Sequence, residues 1–176
     1  EYTGANINVV STTSYQLLDD LQEIDQDFTA DSVLFAKQDQ VQNLVSQEII
    51  VRSSNQSKYK WLFGGYGFMQ LFDKKVNVDI YTANMKVIKQ YDQTIYGGAI
   101  FHQSTLNDIL IENLSVTAGL RLDLENDTED YLYDKSMTGN LTNVDDTSGT
   151  LESFVVLPKV AFNYKTTNGN IYATVA

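Results

Sequence analysis

The sequence lacks cysteine altogether, and its 176 residues include a single proline and a single histidine. Without cysteine, neither a disulfide framework nor a thiolate zinc site can form. His102 by itself cannot supply a metal cluster, and we interpret it as an ordinary sheet histidine. No Gly-x-Ser-x-Gly segment presents a nucleophilic serine, which disfavours a Ser-His-Asp hydrolase. The composition therefore predicts a protein that is not an enzyme, with no metal site and no cofactor.

Basic residues are also scarce, because Arg52 and Arg121 are the only arginines and the net charge is −11. Nucleic-acid binding requires clustered lysine and arginine, so a nucleic-acid partner is not expected. No run of about 18 apolar residues predicts a transmembrane helix. Glu1 begins a polar segment without a basic and apolar leader, and we expect a mature protein or an internal fragment.

Apolar side chains recur at every second position in parts of the sequence. In the segment 114–125, LSVTAGLRLDLE, apolar residues alternate with polar or small residues over twelve positions. This period indicates a β-strand with one apolar and one charged face. Soluble strands average about 5–6 residues, whereas a tilted strand that crosses a membrane needs about 9–11. The apolar face carries Leu114, Val116, Ala118, Leu120, Leu122 and Leu124.

Six further segments show a weaker version of this pattern, so that about seven strands are predicted. Their ranges are 7–16, 42–53, 59–70, 95–106, 154–165 and 171–175.

The predicted connections alternate between long and short. The short ones (54–58, 107–112 and 166–169) carry turn residues such as Asn-Gly. The long connections are 17–41, 71–93 and 126–152. The first and third contain most of the acidic residues of the chain, and the second contains several lysines. Long loops at one end and tight turns at the other are typical of outer-membrane barrels.

Several segments, in this order, resemble the barrel of TonB-dependent outer-membrane receptors. They are STTSYQ (11–16), SQEIIVRS (46–53), KWLFGGYGF (60–68), GGAIFHQST (97–105), LSVTAGLRLDLE and LPKVAFNYKTTNGNIYATVA (157–176). The resemblance implies an all-β, antiparallel up-and-down meander that forms part of a large transmembrane β-barrel. Residues 1–176 would be a partial barrel, without plug domain or coupling segment.

The resemblance also implies a role in the outer membrane of a Gram-negative bacterium. That role is active uptake of a scarce nutrient, such as a ferric siderophore, haem, cobalamin or a glycan. The implied partners are outer-membrane lipid, the plug domain of the parent chain, TonB in the full-length receptor and the small nutrient ligand. The apolar strand faces would meet lipid and the polar faces the lumen and plug. The long loops would lie outside the cell.

Site residues follow from that arrangement as expectations. Five charged residues on the polar faces are predicted to point into the lumen: Glu48, Arg52, Arg121, Asp123 and Glu125. Ligand contacts are expected in the long loops near Asp25, Asp27, Asp31, Lys86, Asp130 and Tyr131. The segment from Asp25 to Asp31 spaces oxygen ligands like a calcium loop, but it lacks the central glycine, so we interpret it as a solvated acidic loop. Aromatic residues near the tight turns are predicted to form an interfacial girdle: Tyr59, Trp61, Tyr66, Tyr164 and Tyr172.

Two alternatives stay open on the sequence. One is a soluble β-barrel or sandwich that binds a small ligand or glycan. The other is an outer-membrane adhesin or structural barrel without transport. The membrane interpretation requires the leucines to face outward, whereas the soluble alternative requires them to fill a closed core.

Overall fold

Antiparallel strands that follow one another in chain order make up the structure, a computed structural model that describes residues 1–28, 30–31, 33–54 and 57–176. Eight strands form one open sheet in the order β1 to β8. This confirms the predicted antiparallel up-and-down meander, with a two-residue strand added at the start. The strands are β1 (Tyr2–Thr3), β2 (Ile7–Asp25), β3 (Leu34–Ser53), β4 (Tyr59–Ile80), β5 (Met85–Asn107), β6 (Leu114–Met137), β7 (Asn140–Thr166) and β8 (Gly169–Val175).

Among the residues that the structure describes, helical structure is confined to one short 3₁₀ turn, Tyr81–Ala83. In the described part of the chain, no helix has the length and apolar character needed to span a membrane.

The six central strands are about twice as long as predicted. They span 19, 20, 22, 23, 24 and 27 residues for β2 to β7. The ladder between β2 and β3 runs without interruption from the Ile7–Ser53 pair to the Asp25–Phe35 pair. Most of the predicted long loops 17–41, 71–93 and 126–152 are therefore strand, and that prediction was wrong. The acidic composition suggested loops, but backbone pairing does not require either face of a strand to be apolar.

The connections that remain are short at both ends of the sheet. One end, here called the Gly139 end, carries the connections 26–33, 81–84 and 138–139. Thr138 and Gly139 there both have positive φ (51° and 86°), as a two-residue hairpin turn of type I′ requires. The other end, the Gly169 end, carries the connections 4–6, 54–58, 108–113 and 167–168, close to the three predicted turns. Thr29 of the acidic segment and Asn55 and Gln56 of the first predicted turn lie outside the described residues.

The strand register sorts the side chains into two faces. The face with Leu114, Val116, Ala118, Leu120, Leu122 and Leu124 is called the leucine face, and the opposite one, with Arg52 and Arg121, the arginine face. In β3 to β6, every large exposed apolar residue except Met137 lies on the leucine face. They are Val45, Ile49, Tyr59, Phe63, Met69, Leu71, Tyr96, Ile100, Leu106, Leu120 and Leu124.

The two faces differ in exposure in a way that indicates curvature. In β5, the exposed residues all lie on the leucine face, whereas every residue on the arginine face is half-buried or buried. Only Ala36 and Ala99 are buried apolar residues in the described chain, and both lie on the arginine face. Side chains crowd together on the inside of a curved sheet, so the arginine face is the concave one. The described residues contain no closed apolar core of the kind that the soluble alternative needs.

The apolar zone of the leucine face runs obliquely across the hydrogen-bonded rows. One row joins Phe154 in β7 through Leu124 in β6 to Thr13 in β2. On β2 the apolar residues continue to Leu17, four residues further along the strand (17 − 13). With a rise of about 3.3 Å per residue and a strand spacing of about 4.8 Å, this shift over five strands corresponds to a tilt of roughly 30°. Strands of membrane barrels are tilted by a similar angle, about 35–45°.

Candidate functional site: the arginine face

The middle of the arginine face is organised around Arg121. Its Nε and Nη2 donate to the carboxylate of Asp123 over 2.7–2.9 Å, and its guanidinium lies 5.5 Å from the centre of the Phe101 ring. Phe101 covers Gly64 of the neighbouring strand, where an added Cβ would come within 2.2 Å of the ring. Aromatic rings commonly cover strand glycines in this way. The arrangement fixes Arg121 and Asp123 as a planar, fork-shaped ion pair on the concave surface.

All five residues predicted to point into a lumen lie on the arginine face. Only Arg121 and Asp123 contact one another directly. Glu48 occupies the same hydrogen-bonded row as Asp123, with Tyr66 and Ala99 between them. Arg52 is two rows from that row, nearer the Gly169 end, and Glu125 is one row beyond it toward the Gly139 end. That this face lines a lumen stays a prediction.

The residues predicted to contact a ligand do not come together. Asp25 ends β2, and Asp27 accepts hydrogen bonds from the backbone N–H groups of Val33 and Leu34, both at 2.8 Å. The Asp27 carboxylate therefore stabilises the connection 26–33, which also contains Asp31. Lys86 and Asp130 lie on the leucine face, whereas Tyr131 lies on the arginine face. The register thus separates Tyr131 from the other candidates on the same pair of strands.

Around Tyr131 the structure assembles a group that the sequence did not reveal, here called the Lys–Tyr cluster: Lys74, Lys89, Tyr91, Tyr131 and Tyr133. The Tyr91 and Tyr131 rings are 5.0 Å apart, and Lys89 Nζ lies 5.4 Å from the centre of the Tyr133 ring. Lys74 is the register partner of Tyr91. Partial burial raises the pKa of the Tyr131 phenol, and the neighbouring Tyr91 adds to this effect. The cluster offers cations and aromatic surfaces, which suit an anionic or planar ligand.

The Lys–Tyr cluster was missed because its members are far apart in the sequence. Lys89 and Tyr91 alternate on β5, and Tyr131 and Tyr133 alternate on β6, so each pair shares a face. The two-residue spacing within each pair can be read from the sequence. It was not used, because the sequence predicts loops over 71–93 and 126–152, and a period of two carries no information about side-chain direction in a loop. Next to Tyr131, a cavity of about 400 Å³ is lined by Asp127, Glu129, Thr147, Ser148, Gly149, Thr150 and Leu151.

The predicted aromatic girdle is divided between the two faces. Tyr59, Trp61 and Tyr164 lie on the leucine face near the Gly169 end. Tyr66 and Tyr172 lie on the arginine face, so the five predicted residues do not form a girdle on one face of the sheet. His102 lies on the leucine face, and its Nε2 is 2.9 Å from Ser104 Oγ, which also contacts the Tyr59 hydroxyl.

Comparison with known proteins shows which solved structures this sheet resembles. No family model and no curated protein matches the sequence. The crystal structure of the ferric yersiniabactin uptake receptor FyuA from Yersinia pestis matches 99% of the chain with a TM-score of 0.81 at 18% sequence identity. The ferric citrate transporter FecA in its unliganded form matches 94% of the chain, with a TM-score of 0.45 and 9% identity, over 36% of its own length.

The chain spans about a quarter (26%) of the FyuA chain that it matches. At this identity the likeness shows the fold, and it confirms the fold expected from the sequence resemblance. The chain therefore has the fold of part of a β-barrel receptor.

Proposed function

We propose that this chain is part of the barrel of a TonB-dependent receptor in the outer membrane of a Gram-negative bacterium, where it serves the uptake of a scarce nutrient. One observation carries the proposal. Almost all large exposed apolar side chains of β3 to β6 lie on the leucine face, while the arginine face carries charged residues such as Glu48, Arg121 and Asp123 and is mostly half-buried. A soluble protein rarely exposes a contiguous apolar surface of this extent, whereas lipid covers such a band on a membrane barrel.

The dimensions support a membrane barrel as well. The apolar zone of β6 extends from Leu114 to Leu124. Ten residue steps at about 3.3 Å, inclined by the tilt of roughly 30° found for this sheet, give a height of about 29 Å, which is close to the apolar band of about 25 Å in outer-membrane barrels. A closed barrel also satisfies the backbone groups at sheet edges, which hydrocarbon cannot do. The fold likeness to a ferric siderophore receptor points to the same class of protein.

The proposal predicts opposite labelling behaviour for two residues of β6 that lie on opposite faces of the sheet. Because residues 1–176 contain no cysteine, a cysteine introduced there is the only one in this segment that can be labelled. In outer membranes that contain the full-length protein, Leu120→Cys is expected to react only with a lipid-soluble maleimide. Asp123→Cys is expected to react with a water-soluble maleimide once the lumen is accessible. Labelling of Leu120→Cys by the water-soluble reagent, in a variant that is folded, contradicts the assignment of the leucine face to lipid.

Ligand uptake is assigned to the half of the arginine face near the Gly139 end, where the Lys–Tyr cluster lies. A ferric siderophore or a similar nutrient fits the cations and aromatic rings of this cluster better than it fits the acidic surface nearby on the leucine face. That acidic surface carries Asp73, Asp92 and Asp130. Lys74 and Lys75 provide a matched pair, because they are adjacent in β4 and point to opposite faces. Lys74→Gln is expected to lower ligand affinity several-fold, whereas Lys75→Gln leaves it unchanged.

The ligand class is tested in cells that depend on this receptor. Growth is measured with a panel of ferric siderophores, haem, cobalamin and glycans, each as the limiting nutrient, in strains with and without the gene. Loss of growth on one member of the panel identifies the nutrient. Correct membrane insertion without any uptake phenotype supports the structural or adhesive alternative instead.

A further inference from the structure

The connection 108–113, which joins β5 to β6 at the Gly169 end, has an unusual backbone. Asp108, Leu110 and Asn113 all have positive φ, of 54°, 63° and 66°. Aspartate and asparagine tolerate this left-handed conformation, whereas a bulky apolar residue such as leucine rarely adopts it. An asparagine at position 110 would fit the same backbone with less strain. The geometry of the turn therefore does not explain the leucine.

Hydrogen bonds hold this connection in place. Asp108 Oδ1 accepts from the backbone N–H of Asn113 at 2.9 Å, and the N–H of Ile109 donates to the carbonyl oxygen of Leu114 at 3.0 Å. The N–H of Lys165 in β7 donates to the carbonyl oxygen of Asn113 at 3.0 Å, which ties the connection to the neighbouring strand. The left-handed backbone is thus fixed both by its own bonds and by β7.

This fixed turn presents apolar side chains to its surroundings. Leu110 is 94% exposed and Ile111 is 55% exposed, so the described residues leave both largely uncovered. The other three connections at the Gly169 end have the sequences GAN, SNQSK and TN, without a large apolar residue. The exposed apolar pair therefore distinguishes 108–113 from its neighbours.

The position of the connection indicates what covers the pair. Leu106 and Leu114, the leucine-face residues on either side of it, are the register partners of Tyr59 and Tyr164. The connection therefore leaves the apolar zone between two aromatic residues of the leucine face. A tyrosine at the edge of a membrane keeps its ring in lipid and its hydroxyl group among the headgroups. Leu110 and Ile111 thus continue a surface that lipid covers under the proposed function.

We propose that Leu110 and Ile111 insert into the border between headgroups and acyl chains of the phospholipid leaflet at the Gly169 end, and so anchor this turn in the membrane. The proposal rests on the proposed function, which makes the leucine face the lipid-facing one. Apolar side chains gain free energy when they leave water for such a border. The connection carries Asp108 and Glu112 and no basic residue, so zwitterionic headgroups suit it better than anionic ones.

The test uses the full-length protein in a cysteine-free background, reconstituted in vesicles of zwitterionic phosphatidylcholine. A fluorophore is attached at Glu112→Cys, next to the apolar pair, and Thr167→Cys in the connection 167–168 is the matched control. Brominated acyl chains are expected to quench the label at position 112 several-fold more strongly than the label at position 167. In the background Leu110→Asn/Ile111→Ser, quenching at position 112 is expected to fall to the level of position 167.

Equal quenching at positions 112 and 167, or unchanged quenching at 112 in the double variant, overturns the proposal. Protection of position 112 from aqueous iodide without quenching by brominated chains shows that protein covers the pair, and it overturns the proposal as well. Gel mobility without heating verifies that each variant has folded.

A label at Leu120→Cys, in the middle of the apolar band, separates the two levels of failure. If brominated chains quench the label at position 120 but not the label at position 112, only the anchor fails. If they quench neither label, the proposed function fails as well.

Discussion

At the scale of single residues, close backbone contact between neighbouring strands depends on glycine. An added Cβ at Gly97 would lie 2.7 Å from the carbonyl oxygen of Leu124 and 2.8 Å from Cε1 of Phe68. The carbonyl oxygen belongs to the ladder between β5 and β6 and cannot move away without loss of hydrogen bonds. The arginine face is therefore built around glycine at this point, and the Phe68 ring occupies the space that a side chain would need.

We predict that Gly97→Ala lowers the free energy of unfolding by about 1–3 kcal/mol, the usual range for overpacking. Gly65→Ala is the control, because the nearest atom to its added Cβ is 3.9 Å away. Urea-induced unfolding of the detergent-solubilised full-length protein, followed by tryptophan fluorescence, provides the measurement. Equal midpoints for the two variants would show that the sheet adjusts freely at Gly97.

Tyr131 gives a second prediction at this scale. Partial burial raises its pKa above the ordinary tyrosine value of 10.0. The protonated phenol is favoured by folding, so its contribution to stability is complete below pH 10 and is lost as the pH rises through the raised pKa. In a titration of the folded protein followed by phenolate absorbance, Tyr131→Phe is expected to remove a tyrosine that ionises above the ordinary tyrosine pKa. If the absorbance change above that pKa is the same in Tyr131→Phe, the raised pKa does not belong to Tyr131.

At the scale of the strand, β6 has two zones of different composition on its leucine face. From Leu114 to Leu124, β6 alternates strictly and matches an apolar environment on one side. From Asn126 to Ser136, the leucine face of the same strand is mostly polar or acidic, and backbone pairing with β5 and β7 continues regardless. The hairpins thus extend well beyond the apolar band and carry the Lys–Tyr cluster with them.

An arginine placed in the apolar zone tests which face meets lipid. We predict that Leu120→Arg, near the middle of the band, costs about 2–4 kcal/mol of folding free energy in lipid. Thr12→Arg is the matched control, because it lies on the arginine face and its register partner is Glu48. Folding into phospholipid vesicles from urea, measured by gel mobility without heating, compares the two. A cost of the same size for both variants argues against a lipid-facing leucine surface.

At the scale of the whole molecule, the described residues form an open sheet without a sealed core. Tyr96, Ile100 and Leu124 are each more than half exposed on its leucine face. Neither β1 nor β8 has a second neighbour in the sheet, and such edges associate with other strands. The described residues therefore have little interior of their own to stabilise them, and under the proposed function lipid and further strands would supply the missing contacts.

Residues 1–176 expressed by themselves are predicted to sediment as aggregates in buffer and to become soluble in a mild detergent. The physical reason is the combination of an exposed apolar face and two unpaired edges. Analytical ultracentrifugation with and without detergent measures the difference. A stable monomer in plain buffer would contradict the membrane assignment and revive the soluble alternative.

The sequence by itself determined the class of structure and the position of the apolar zone. Strict alternation from Leu114 to Glu125 can belong only to a strand with one apolar face, and the turn residues near the Gly169 end marked where the strands reverse. Charged residues at every second position, such as Arg121 and Asp123, were likewise assigned correctly to one common face.

Tertiary structure alone decided how far the strands extend and which distant residues meet. Where both faces of a strand are polar, the strand has the same kind of composition as a loop. Only its pairing with a neighbouring strand then shows that the segment is a strand. Register then sets the contacts, because a shift of one residue moves a side chain to the opposite face. For that reason the sequence could name Tyr131, but only the paired strands show that Tyr91, Lys89 and Tyr133 surround it while Lys86 and Asp130 face away.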